Sequence, residues 1–132
     1  MYRKLMVAGL AVVLGGCASG IDNGSDNTIA DFVAPVGYQE AYRLAEEQAR
    51  VCTQGAVTGN VYTDNRTAML RVNSTFLYQY TIQQIDIAQV DADSSRVKVT
   101  MWKRGGWGPR HIEAIRQTLL RKSTLCESEL PK

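Results

Sequence analysis

The run FLYQYTIQQIDIAQV at residues 76–90, the turn DADSS at 91–95 and the run RVKVTM at 96–101 decide the fold of this chain. In the first run Tyr78, Tyr80 and Ile82 alternate, and then Ile85 and Ile87 continue on the opposite parity. One added residue exchanges the faces of everything beyond it, so a bulge is expected near Gln83 and Gln84. The third run sets Val97, Val99 and Met101 against Arg96, Lys98 and Thr100, the period of a strand with one buried face. The Asp and Ser residues between them are turn formers. Together they predict a long antiparallel hairpin, with Trp102 directed outward because it alternates with Met101.

Downstream, Gly105-Gly106-Trp107-Gly108 breaks the sheet, and Pro109 stands where the first turn of a helix tolerates a missing N–H. That helix runs to about Lys122. Ile112, Ile115 and Leu119 form its buried stripe, and Arg121 and Lys122 complement the dipole in its last turn. Upstream, AVTGNVYT at 56–63 and residues 67–72 read as two strands around Asp64-Asn65, although Gly59-Asn60 competes as a turn. Before them Tyr38, Ala41, Tyr42, Ala45, Ala49 and Cys52 recur at helical spacing, which predicts a first helix over about 37–51. The fold class is α+β: two helices packed on one face of a three- to four-stranded antiparallel sheet, in the order α-β-β-β(-β)-α. There is no internal repeat.

The beginning of the chain is an address. Arg3 and Lys4 precede the apolar run LMVAGLAVVL at 5–14, the layout of a signal peptide. Ten apolar residues rise about 15 Å as a helix, half the ~30 Å hydrocarbon thickness, too short for a permanent span. Leu14-Gly15-Gly16-Cys17 follows at once and resembles the lipobox of bacterial lipoprotein precursors. The resemblance covers the leader only and implies removal of residues 1–16 and diacylation of Cys17, which becomes the new N-terminus. Each buried CH₂ contributes about 0.8 kcal/mol, so two or three acyl chains hold a protein durably on a bilayer. In Gram-negative lipoproteins an Asp after the lipidated Cys favours inner-membrane retention. Ala18 stands there, so the resemblance implies the periplasmic face of the outer membrane. The following residues are rich in Gly, Asn, Asp and Ser, and residues 17–35 read as lipidated Cys and flexible tether ahead of a single domain at 36–132.

With Cys17 acylated, two cysteines remain, and an exported chain meets an oxidising compartment. Cys52 and Cys126 each fall just past a predicted helix, so a bond between them pins both helices on the same side of the sheet. Two buried thiols, or a redox centre lacking the C-x-x-C spacing, are the alternatives.

Charge excludes some functions. Without Arg3 and Lys4 the remaining 13 basic and 13 acidic side chains cancel, which argues against nucleic acid as a partner. The balance is uneven along the chain: residues 17–95 hold four Lys/Arg against ten Asp/Glu, and residues 96–132 hold nine against three. Interleaved in a fold, these meet as ordinary surface neighbours. His111 is the only histidine, so neither a two-His metal site nor a catalytic constellation with more than one His can be assembled. Asp91 and Asp93 lack the Gly and the twelfth-position Glu of a calcium loop. No metal, cofactor or catalytic residue is assigned. Asn65-Arg66-Thr67 and Asn73-Ser74-Thr75 match the glycosylation pattern by chance.

What remains is a candidate interaction patch, Trp102, Arg104, Trp107 and Arg110, because Trp, Arg and Gly on a loop are residue types that contact partners. The expected function is therefore a lipid-anchored, non-enzymatic envelope protein, an interaction or accessory subunit of an envelope assembly. The alternative is a binding module for a small ligand or cell-wall fragment, which requires a concave pocket lined by Tyr78, Tyr80 or Trp107.

Overall fold

The computed structural model describes residues 20–21, 27–75, 80–103 and 106–132. The signal peptide, Cys17, Tyr78 and Arg104 lie outside the described residues. In chain order the elements are β1 (Asn27–Ala34), α1 (Tyr38–Cys52), β2 (Ala56–Tyr62), β3 (Thr67–Asn73), β4 (Thr81–Asp91), β5 (Ser94–Trp102) and α2 (Pro109–Arg121), followed by a 3-10 turn at Glu127–Glu129. The fold is α+β, as the hydrophobic periodicities require.

The deciding hairpin forms as the alternation predicts. β4 pairs antiparallel with β5, with Ile85 opposite Val99 and Ile87 opposite Val97. Its turn is closed by Asp91, whose carboxylate accepts the Asp93 N–H at 2.9 Å. That hydrogen bond, with a second from the Ser94 hydroxyl, holds the Asp91 carboxyl below the usual range. The bulge falls at Ile82, one residue ahead of its expected place, where the β3 partners step from Val72–Gln83 to Asn73–Thr81. Thr81, Ile82 and Gln83 are consequently all buried.

One sheet carries all five strands in the order β1-β5-β4-β3-β2. Strands β2 to β5 form a meander of consecutive antiparallel pairs, and β1 joins the far edge beside β5. Here the structure corrects the sequence expectation. Residues 27–34 are not tether: they are an edge strand, from Asn27 opposite Trp102 to Ala34 opposite Ser95, and the domain begins before residue 36. Ala30, Phe32 and Ala34 face the core while Ile29 and Val33 face out, so apolar residues fall on both faces and leave no alternation to detect.

Since β1 and β2 occupy opposite edges, α1 spans the sheet between them and contacts β2, β3, β4 and β5. α2 packs beside it, against β1. Leu70, Val72, Ile85, Ile87, Val97, Val99 and Met101 meet Ala41, Leu44, Ala45, Ala49, Ile112, Ile115 and Leu119 in one core. The alanines of α1 let the helix approach the strands closely. Tyr42 fills the wider gap over β2, where burial and a hydrogen bond to Glu46 push its hydroxyl up to about 12.

The expected ambiguity at Gly59 resolves as strand with a close contact. A Cβ there would sit 2.6 Å from the Met69 carbonyl oxygen and 2.7 Å from the Tyr42 hydroxyl. Gly59→Ala is therefore expected to destabilise the fold by about 1–3 kcal/mol through overpacking. A urea titration reads this as a lower midpoint with an unchanged slope.

Candidate functional site

Both helices and the chain's C-terminal segment converge on one pocket. The last turns of α1 supply Gln48 and Cys52, β4 supplies Gln83, the approach to α2 supplies Trp107 and the first turn of α2 supplies His111. The pocket holds about 250 Å³. Its position follows from the disulfide: Cys52 and Cys126 are bonded, Cα atoms 5.3 Å apart, which brings the chain after α2 against the end of α1. Polar contacts secure the same junction. Gln48 Nε2 donates to the Leu125 carbonyl at 3.3 Å, and the Leu125 N–H donates to Thr118 Oγ1 at 3.0 Å. The Thr118 hydroxyl in turn donates to the Ala114 carbonyl at 2.8 Å.

His111 closes the first turn of α2. Its Nδ1 accepts the Gly108 N–H at 3.2 Å, which leaves Nε2–H as the ring's donor. The Trp107 ring is tilted on it, centroids 4.9 Å apart. Two side chains of the wall carry orphaned atoms: Oε1 of Gln48 and Nε2 of Gln83 are buried and have no hydrogen-bond partner among the described residues. These glutamines are 4% and 2% exposed. A buried polar atom left unpaired costs about 1–3 kcal/mol, and here an acceptor on α1 and a donor on β4 are both left so.

The sequence-predicted patch does not assemble as an exposed surface. Trp102 has the outward parity expected of it, but it is buried, its ring edge-on to Tyr80 with centroids 5.1 Å apart. Tyr80 supplies cover that alternation along one strand cannot reveal. Arg110 is exposed but occupied. Its guanidinium donates to Glu127 Oε1 at 3.0 Å and to the carbonyls of Pro131 at 3.1 Å and Leu130 at 3.3 Å, so it fastens the C-terminal segment to α2. Trp107 is half-buried in the pocket wall, and Arg104 lies outside the described residues. Of the three aromatics considered for a pocket, Trp107 lines the one just described. Tyr80 and Trp107 share a smaller neighbour of about 180 Å³.

The sheet face opposite the helices forms a second surface. Along it Asp31, Lys98, Asp86, Met69 and Asn60 lie in register across all five strands. Arg96 holds Asp31 through two hydrogen bonds, at 2.9 and 3.1 Å, and so keeps that carboxyl below the usual carboxylate range. Arg71 donates to Gln84 at 2.9 Å, and Gln84 donates to Asp86 at 3.1 Å. Apolar groups interrupt this network: Ile29 and Val33 are each 58% exposed and Tyr62 is 44% exposed.

Sequence reasoning passed over Gln48 and Gln83. Gln48 did carry a signal, since it occupies a core-facing position of the α1 stripe between Ala45 and Ala49, where a polar residue is unusual. Gln83 was hidden by the parity shift. Among the described residues no three His, Cys, Asp or Glu side chains gather as a metal site, and no helix is long and apolar enough to cross a membrane. Comparison with protein families, with curated proteins and with solved structures finds no match to this chain.

Proposed function

We propose that this chain is a lipid-anchored, non-enzymatic protein of the cell envelope, held through Cys17 on the periplasmic face of the outer membrane, where it serves as an interaction or accessory subunit. The observation that carries the proposal is the Cys52–Cys126 disulfide in a chain whose leader ends in Leu-Gly-Gly-Cys. A structural disulfide suits an oxidising compartment, and the leader supplies the route there. The surface proposed to meet the partner is the uncovered sheet face around Tyr62, Met69 and Lys98, in place of the patch predicted from sequence. The exposed Tyr62 and the half-buried Met69 are of residue types enriched where proteins meet.

One experiment addresses both parts: a photoreactive residue at Tyr62, combined with metabolic labelling by an alkynyl fatty acid. The expected result is acylated protein in the outer-membrane fraction, cross-linked to an envelope protein. Cys17→Ser should abolish the label and shift nearly all of the protein to the soluble fraction. An unlabelled native chain, or a variant that fractionates like the native one, would sink the anchor. Absence of any cross-link would sink the sheet-face assignment.

A second reading, a binding module for a small ligand or cell-wall fragment, is favoured by the pocket lined by Gln48, Gln83 and Trp107, because that reading requires a concave site with an aromatic wall.

A further inference from the structure

We infer that the outer edge of β1 pairs with the same edge of a second copy of this chain, joining two five-stranded sheets into one across a two-fold axis at Asp31. The inference goes beyond the proposed function: it concerns a strand edge, not the sheet face, and does not depend on the anchor. Its first basis is an edge without the usual protection. β5 takes one side of β1, and among the described residues no strand takes the other. Natural sheets guard a free edge with Pro, Lys, bulges or a very short strand. β1 runs eight residues, NTIADFVA, in unbroken register with β5, and none of them is Pro, Gly or Lys. Its single charge, Asp31, is held by Arg96 of the neighbouring strand at 2.9 and 3.1 Å. Ile29 and Val33 stand 58% exposed on either side of it. Leu120 of α2, also exposed, lines a surface hollow with Val33 and Pro35.

The second basis is that the strand matches itself. Fixed by β5 on its inner side, it accepts a neighbour only in a register that suits its side chains. In antiparallel pairing centred on Asp31, Ile29 lies opposite the partner's Val33 and Ala30 opposite the partner's Phe32, and the two-fold repeats both pairs. On the outer face β-branched side chains meet each other, and on the helix face a large ring meets a methyl group. Ala30 and Phe32 are only partly buried in the single chain, so the second strand covers them too. The two Asp31 side chains then face each other, each neutralised by its own Arg96. The neighbouring registers, centred on Ala30 or Phe32, would instead oppose Asp31 to Ile29 or Val33. Symmetry about one residue also suits the main chain, because the N–H and C=O groups pointing away from β5 recur at every second residue. Pairing of β1 with the opposite edge, β2, would repeat without closing, whereas β1 with β1 closes after two copies.

The test uses the full-length chain purified in detergent. Asp31→Cys places a thiol on the axis, where opposed Cα atoms about 4.5–5.5 Å apart suit a disulfide, and mild oxidation should give a covalent dimer on a non-reducing gel. Val33→Cys should give none, because its two copies would stand about 14 Å apart along the strands. Ile29→Cys combined with Val33→Cys keeps Asp31 and its ion pair, and should cross-link as Asp31→Cys does. Sedimentation equilibrium of the native chain in density-matched detergent should give two copies. Asp31→Lys sets two ammonium groups beside two Arg96 guanidiniums at the axis and should raise the dissociation constant about tenfold or more, with the circular dichroism of the native fold retained. A native chain that sediments as one copy would overturn the assignment, as would cross-linking of Val33→Cys equal to that of Asp31→Cys. Failure of both the Asp31 variant and the double variant to cross-link would do the same. Oligomers growing beyond two copies, the product of β1 meeting β2, would also overturn it.

Discussion

Replacing Cys52 and Cys126 together by serine is expected to lower the stability of the domain by about 4 kcal/mol. The two residues are 74 positions apart, and in the chain-entropy description the stabilisation grows with the logarithm of the closed loop. For a domain of this size such a loss corresponds to a fall in melting temperature on the order of 15 °C. Thermal melts followed by circular dichroism, on the native protein with and without reductant and on the double variant, measure it. The reduced native protein and the variant should coincide. The bond also holds the segment at Leu125 against Gln48, so its loss should loosen the pocket before the sheet melts. A difference below about 1 kcal/mol would mean that hydrogen bonds to Leu125 and the clasp of Arg110 hold the C-terminal segment unaided.

The second large effect discriminates between the two faces of the sheet. Leu70 on β3 is completely buried under α1, and Leu70→Ala is expected to destabilise by about 3–5 kcal/mol, combining lost burial with an unfilled cavity. Its chain neighbour Met69 points to the uncovered face, and Met69→Ala should cost less than about 1 kcal/mol. Chemical denaturation of the two variants reads the contrast directly. Similar losses at both positions would mean that something packs on the uncovered face as firmly as the helices pack on the other.

The outcome for these residues shows what a sequence can convey about this fold. Alternation at Val97, Val99 and Met101 and the helical spacing of Ile112, Ile115 and Leu119 each encode one buried face, and each was legible because its opposite face is polar. β1 was not legible. Ile29 and Val33 face outward there while Ala30 and Ala34 face inward, so the periodicity that marks a half-buried strand is erased, and the Asn- and Gly-rich residues before it suggest a tether. Trp102 shows a related limit, since its parity was right and Tyr80, distant in sequence, packs edge-on against it. The disulfide was deduced from the count of cysteines and their places after the helices. The pocket was not, because it is made by Gln48, Gln83 and Trp107, three residues that only the crossover of α1 and the return of the C-terminal segment bring together.

The place of β1 in the strand order also bears on how the chain reaches this structure. Its partners on β5 lie 61 residues away at Ala34–Ser95 and 75 away at Asn27–Trp102, and Cys52 waits 74 residues for Cys126. Non-local pairings of this kind slow folding relative to helical or hairpin contacts. A chain emerging N-terminus first therefore carries an unpaired strand, with Ile29 and Val33 available, and a free thiol until nearly all of it has been delivered. During that interval the β1 segment is a template for pairing with another chain, and arrival of β5 removes the hazard by occupying it.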